Sequence, residues 1–229
     1  MKLVLQVVLF VLFSINAIAQ SGPPALCKPC LFYGGDVDPA DPNSYGLQDE
    51  NTLFYPNTST YGAVKVPKGH NVLVEGILFQ IDFETLFLLD PRGVTWEIRK
   101  GVEEGNGGTV IDSGQGPVAV QTTGRIINGP EYTVAIKLPN PIDLPAGTYW
   151  FNITPPCVNK RDSECETIQY GVSNTTQQTN SFRGGLQPVD EIFINSQYYN
   201  YSWVNWCTLN INHAGCATLS FGLMGKIID

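Results

Sequence analysis

The chain is poor in charge. Lys, Arg, Asp and Glu make up 15% of its 229 residues, against about 25% in an average soluble domain. Its surface is therefore expected to rest on Thr, Asn, Ser and Gln rather than on ion pairs. The charge present is acidic, a formal −8 with an isoelectric point near 4.7, which excludes a phosphate-backbone partner: no nucleic acid is expected. Histidine is nearly absent. Only His70 and His213 occur, neither with an evident catalytic partner, and both are read as surface residues. The chain has no G-x-S-x-G, no H-E-x-x-H and no phosphate-binding glycine loop. The run Gly105-Asn106-Gly107-Gly108 lacks the following Lys and helix that a phosphate loop requires. Long apolar runs are missing too. The longest, over residues 3–13, is too short for a hydrocarbon core of about 30 Å, so no membrane span is expected.

What is present begins with an export signal. Lys2, the apolar run and the small-x-small site Ala17-Ile18-Ala19 describe a signal peptide over residues 1–19, leaving residues 20–229 as a secreted domain. Loss of Lys2 takes the formal charge from −8 to −9. All six cysteines survive cleavage: Cys27, Cys30, Cys157, Cys165, Cys207 and Cys216. An even number in an exported chain favours disulfides. Local pairing of Cys157 with Cys165 and of Cys207 with Cys216 is expected, leaving Cys27 with Cys30. Cys27-Lys28-Pro29-Cys30 has the C-x-x-C spacing of redox and zinc sites. It lacks both a βαβ setting and a second ligand pair, so it reads as a staple.

Hydrophobic alternation of period two recurs, and helical periodicity does not. The apolar sets are Leu73, Ile77, Phe79, Ile81 and Phe83, with Glu75 as the exception; Val94, Trp96 and Ile98; Tyr132, Val134, Ile136 and Leu138; Tyr149, Phe151 and Ile153; Ile168, Tyr170 and Val172; and Leu219, Phe221 and Leu223. Turn signals separate them. Gly105-Asn106-Gly107-Gly108 reads as a hairpin loop, Asn128-Gly129-Pro130 and Pro139-Asn140-Pro141 as further loops, and Pro145-Ala146-Gly147 as the entry to a strand. Gly and Pro, 23 and 16 residues, exceed the usual share without reaching the level of disorder. The reading is an all-β, single-domain antiparallel β-sandwich, jelly-roll-like, because short strands with frequent turns suit a sandwich of this length.

Three segments carry a resemblance. Trp96-Glu97-Ile98-Arg99-Lys100-Gly101, then Gly105-Asn106-Gly107-Gly108-Thr109 with Ser113-Gly114, then Ala146-Gly147-Thr148-Tyr149-Trp150 match a W-E-I-R…G-N-G-G-T…G-T-Y-W pattern. That pattern resembles a family of secreted, largely uncharacterised microbial β-sandwich proteins. The opening Cys27-x-x-Cys30-Leu31-Phe32-Tyr33-Gly34-Gly35-Asp36 is also similar to some members. The resemblance covers residues 27–154 and omits the two later cysteine pairs. It implies export and a jelly-roll-like sandwich, and it brings no catalytic residue and no ligand.

Candidate chemistry follows from residue types. A glycosidase needs two carboxyl groups about 5–9.5 Å apart, and Glu97, Glu103, Glu104, Asp112, Asp190 and Glu191 are available for it. The acidic, proline-rich stretch over residues 36–43 offers Asp36, Asp38 and Asp41 as ligands for structural calcium, the one cofactor the sequence suggests. The stretch Tyr198-Tyr199-Asn200-Tyr201-Ser202-Trp203-Val204-Asn205-Trp206 holds five aromatics in nine positions. Strand alternation puts Tyr199, Tyr201 and Trp203 on one face. Trp150 falls among the polar Thr148, Asn152 and Thr154, so partial exposure is expected there. Flat rings with polar edges suit sugar rings, which makes Trp150, Tyr199, Tyr201 and Trp203 the candidate ligand-binding residues. Sequons at Asn57, Asn152, Asn174 and Asn200 would carry glycans in a glycosylating host. The function expected is a secreted, non-catalytic binding or adhesion module for glycan or a cell-surface polymer. Alternatives are a structural matrix protein without a small ligand, which would bury all four rings, and a polysaccharide-active hydrolase or lyase.

Overall fold

The computed structural model describes residues 23–37, 46–48, 58–83, 93–127, 129–154, 170–175, 180–197, 199–209 and 218–228. Nearly all of the regular structure is strand: β1 (Cys30–Tyr33), β2 (Gly46–Gln48), β3 (Ser59–Val66), β4 (Asn71–Phe83), β5 (Val94–Lys100), β6 (Thr109–Gly116), β7 (Val118–Ile126), β8 (Pro130–Leu144), β9 (Gly147–Thr154), β10 (Tyr170–Thr175), β11 (Gln187–Ser196), β12 (Tyr201–Asn205), β13 (Thr218–Leu219) and β14 (Phe221–Ile228). One helical turn, α1 (Trp206–Leu209), follows β12. Among the described residues no helix is long and apolar enough to cross a membrane.

The strands form two antiparallel sheets. One runs β1-β14-β4-β10-β13, with β8 on the other side of β4, β7 beyond β8, and β2 on β10; the second runs β12-β11-β3-β9-β5-β6. They pack face to face as a β-sandwich, and the alternating residues meet between them. Phe79, Val134, Ile136, Phe221 and Leu223 come from the first sheet; Val64, Trp96, Ile98, Phe151 and Ile194 come from the second. Phe221 sits at the centre, stacked on Phe79 of its own sheet at 5.4 Å and on Phe151 of the opposite sheet at 6.0 Å.

Two parts of the pattern differ from expectation. In β4 the residues facing the core are Val72 and Val74, then Ile77, Phe79 and Ile81, while Leu73 is only half-buried. The register with β8 and with β14 slips around Glu75 and Gly76, and this bulge switches the parity of the strand. Glu75, the exception to the alternation, is where the switch occurs. On the partner strand, Pro139-Asn140-Pro141 lies inside β8 rather than in a loop between elements. Lys137 pairs with Gly76 and Ile142 with Val74, so the prolines, which cannot donate to a ladder, occupy the bulged stretch between.

Each sheet also carries a smaller cluster on its outward face. On the first sheet, Cys27 and Tyr33 pack with Leu78 and Ala135, and the Cys27–Cys30 disulfide, with Cα atoms 4.6 Å apart, staples this N-terminal segment. Cys157, Cys165 and Cys216, and the side chain of Cys207, lie outside the described residues.

Candidate binding face of the six-stranded sheet

On the outward face of the second sheet, side chains alternate with those of the core. Phe193 of β11 stands opposite Tyr61 of β3, and Trp150 of β9 stands between Ala63 of β3 and Arg99 of β5. Tyr61, Ala63, Val102, Trp150 and Phe193 form a buried cluster, with Trp203 packed on its rim. Trp150 is 6% exposed, and the ring of Phe193 meets it edge-on at 6.3 Å. The partial exposure expected for Trp150 is therefore corrected. Its polar neighbours along β9 do not decide its surroundings, because the side chains that cover it come from adjoining strands and from Val102.

A cation lies beside this cluster. The Arg99 guanidinium sits 4.5 Å from the Trp203 ring centroid and 5.8 Å from that of Tyr61, and its Nη1 donates to Gly107 O at 2.8 Å. Glu97 accepts from Arg99 Nε and, on the same oxygen, from the Tyr61 hydroxyl at 2.6 Å. Burial opposes the charge of Arg99, but the bond to Glu97 and the electrostatic pull of Tyr61 and Glu97 outweigh it, and its pKa is raised.

Trp203 is held from behind by the β5–β6 loop. Glu103 and Asn106 exchange two backbone bonds of 2.9 Å, Gly105 N donates to Trp203 O at 3.0 Å, and Asn205 N donates to Glu104 Oε2 at 2.9 Å. At Gly107 a Cβ would come within 2.4–2.7 Å of the indole, so only glycine lets the loop approach the ring this closely. Trp203 has φ 54°, a left-handed conformation costly for a bulky side chain.

The four candidate rings do not form one plane. Trp203 packs on the outward cluster, whereas Tyr201 packs against the inter-sheet core, and both are half-buried. Tyr201 stacks with Tyr199, at 5.4 Å and 23° between planes, and Tyr199 is 40% exposed. The register slip between Ile194 and Ser196 and the left-handed backbone at Trp203 break the alternation that would align them. Sequence reasoning passed over Tyr61, Arg99 and Phe193 as ring partners. The available signal was that Glu97 and Arg99 alternate with the core residues Trp96 and Ile98.

No protein-family model, no curated protein and no solved structure matches the chain.

The remaining candidates are placed as follows. Asn152 is buried, donates to Thr60 O at 2.9 Å and accepts from Thr154, so the structure leaves no room for a glycan on it. Asn200 is exposed, in the turn before β12. Asn57 and the side chain of Asn174 lie outside the described residues. So do Asp38 and Asp41. Asp36 is committed elsewhere: Oδ1 accepts from the Tyr33 hydroxyl at 2.6 Å and lies 3.1 Å from Arg125 Nη1, and Oδ2 accepts from Asn180 at 2.5 Å. A cation ligated by Asp36 would sit against a guanidinium, which runs against a calcium role for this residue. Among the described residues there is no group of three or more His, Cys, Asp or Glu side chains placed to hold a metal ion.

The Asp36 network extends inward. Arg125 Nε pairs with Glu131 at 2.5 Å, Gln80 Nε2 donates to Tyr33 Oη at 2.9 Å, and Thr133 donates to Gln80 at 2.8 Å. Burial, with the Asp36 carboxylate second, pushes the Tyr33 phenol well above its ordinary value of 10. Because the folded value exceeds the unfolded one, this contribution to stability is complete below about pH 10 and declines as pH rises above it. Thermal unfolding followed from pH 8 upward is expected to show an extra alkaline slope of up to about 1.4 kcal/mol per pH unit from this group. Tyr33→Phe removes that slope while lowering stability at neutral pH, since Asp36 and Gln80 lose a partner. An unchanged alkaline slope in that variant would contradict the assignment.

Proposed function

We propose that the protein is a secreted, non-catalytic binding or adhesion module that holds an extracellular glycan or surface polysaccharide on the outward face of its six-stranded sheet. The observation that carries this reading is Trp203. Its side chain is half-buried and supported by Arg99, Tyr61 and Gly107, on a backbone conformation that costs about 1–3 kcal/mol for a residue of this kind. Strain of this sort gathers where surroundings hold a side chain for a task, and an indole held in place at a partly accessible rim suits the C–H face of a sugar ring. Glu97, engaged by both Tyr61 and Arg99, serves in this reading to orient the ring's supports rather than to move protons. Export is supported by the leader and by the C-x-x-C staple, which suits an oxidising compartment. The three motif segments that resemble secreted microbial sandwiches supply Glu97, Arg99, Gly107 and Trp150, all at this face.

The test is retention of the oxidised protein on a panel of insoluble polysaccharides and a glycan array. Trp203→Ala is expected to lower retention tenfold or more, and Trp203→Gly, which suits the left-handed backbone, to do the same with the fold intact by circular dichroism. EDTA is expected to leave retention unchanged. No retention of the parent protein on any polymer, or full retention by Trp203→Gly, overturns the reading.

A further inference from the structure

Whatever Trp203 binds, we infer that Asn106 is a site of spontaneous succinimide formation, in which Gly107 N displaces the side-chain amide as ammonia and the loop loses its grip on Trp203. Asparagine is among the heat-labile residues, and the reaction needs the next residue's amide nitrogen to reach Cγ. A glycine in that place leaves the nitrogen unscreened by a side chain. Asn106-Gly107 is one of two such pairs in the chain, the other being Asn128-Gly129. Asn106 is exposed, and Gly107 N is bonded to no acceptor among the described residues. Gly108 N donates to Asn106 Oδ1 at 3.0 Å. That bond keeps the side chain folded toward the main chain that follows it. It also places a donor on the oxygen that gains charge when Gly107 N adds to Cγ. Nucleophile and carbonyl already adjoin, so the attack pays no cost of encounter.

The chemistry balances with water alone. A bond forms between Gly107 N and Asn106 Cγ, the Cγ–Nδ2 bond breaks, and the Gly107 amide proton leaves with the ammonia. Water then opens the ring at either carbonyl. Cleavage of the new N–Cγ bond gives aspartate at position 106. Cleavage of the original peptide bond gives isoaspartate, whose main chain runs through Cγ and is longer by a methylene. Both products put a new carboxylate beside Glu103, with which Asn106 exchanges two backbone bonds, and on the same exposed loop as Glu104; like charges so close repel. The longer chain cannot keep every contact of the loop. Asn106 O accepts from Glu103 N at 2.9 Å, Gly107 O accepts from Arg99 Nη1 at 2.8 Å, and a Cβ on Gly107 would come within 2.4–2.7 Å of the Trp203 indole. A methylene inserted before Gly107 N displaces at least one of them, and Trp203 loses the support behind its ring.

The experiment ages the oxidised protein at neutral and at mildly alkaline pH, folded and in denaturant, and maps it with trypsin. Cleavage after Lys100 and Arg125 leaves Asn106 as the only asparagine of its peptide, with Asn128 on the next. Peptide 101–125 of the folded protein is expected to gain the mass difference between an amide and a carboxyl, faster at the higher pH. It is also expected to become a substrate for an isoaspartyl methyltransferase. A folded-state rate below one tenth of that in denaturant, or no conversion, overturns the inference. Asn106→Ser, which keeps an oxygen for Gly108 N and has no amide to lose, is expected to leave the peptide unmodified. Separated by ion exchange, the converted form is expected to be cut by a Glu-specific protease at Glu103 or Glu104 tenfold faster than the fresh protein. Equal cutting overturns the release of the loop. On any polysaccharide that retains the fresh protein, the converted form is expected to be held tenfold less. Retention of neither form overturns the binding reading, and the mass and protease results still decide the fate of Asn106.

Discussion

Trp150→Ala is expected to lower unfolding stability by about 3–5 kcal/mol, the usual cost of emptying a large aromatic site in a packed interior. The residue is 6% exposed and lies between Ala63 and Arg99, with Phe193 edge-on and Val102 over it. Small Ala63 cannot expand into the space, and Phe193 is itself part of the cluster, so collapse around the cavity is limited. Trp150→Phe is the informative companion. Trp150 Nε1 is buried with no hydrogen-bond partner among the described residues, so removing it sacrifices no bond, and because phenylalanine refills much of the site the loss should be clearly smaller than for Trp150→Ala. Guanidinium denaturation, read at the midpoint with the m-value held in view, separates the two. Equal losses in both variants would mean that the phenyl ring recovers none of the packing that the indole supplies at this position.

Arg125→Met should cost a similar amount, about 3–5 kcal/mol, for an electrostatic reason. Breaking a buried ion pair from one side leaves the other charge in a low-dielectric site without compensation. Glu131 is fully buried and pairs with Arg125, which also reaches Asp36. The attraction of Glu131, and then of Asp36, raises the Arg125 pKa despite the opposing effect of burial. Adding Glu131→Gln to Arg125→Met removes the stranded charge, so the double variant should be more stable than Arg125→Met alone. Thr123 supplies a donor at 2.8 Å that a Gln carbonyl can still use. A double-mutant cycle by chemical denaturation measures this coupling. Strictly additive losses would show that the guanidinium and Glu131 do not depend on each other.

The sandwich was legible because period-two patterning survives in most strands. Val94-Trp96-Ile98, Tyr149-Phe151-Ile153 and Leu219-Phe221-Leu223 all face the inter-sheet core as the alternation requires. It misled at bulges. At Glu75 one residue of slip moved Leu73 away from the core, and in β8 the two prolines read as a loop although the strand resumes beyond them. The binding face was harder. Trp150 looked open because its neighbours along β9 are polar, but a sheet surface is covered by residues from other strands, and a single segment cannot show them. The platform of Tyr199, Tyr201 and Trp203 failed for a related reason: alternation assumes extended backbone, and Trp203 does not have it. Arg99 was visible as an outward residue of β5, but its place under an indole more than a hundred residues later depends on register between β5, β9, β3 and β11.

The position of β14 has a bearing on how the chain assembles. It comes last among the described strands, yet it lies between β1 and β4, and it carries Phe221, the ring that touches both sheets. A chain emerging N-terminus first can zip β5 to β6 or β7 to β8 early, since each pair is joined by a local connection of fewer than ten residues. The first sheet cannot close, however, until its C-terminal strand arrives to fill the gap beside β4. Pairings of such long sequence separation fold slowly, in milliseconds to seconds. A sandwich sewn shut by β14 therefore leaves one edge of β4 exposed to proteases and to other strand edges until residues 221–228 are in place.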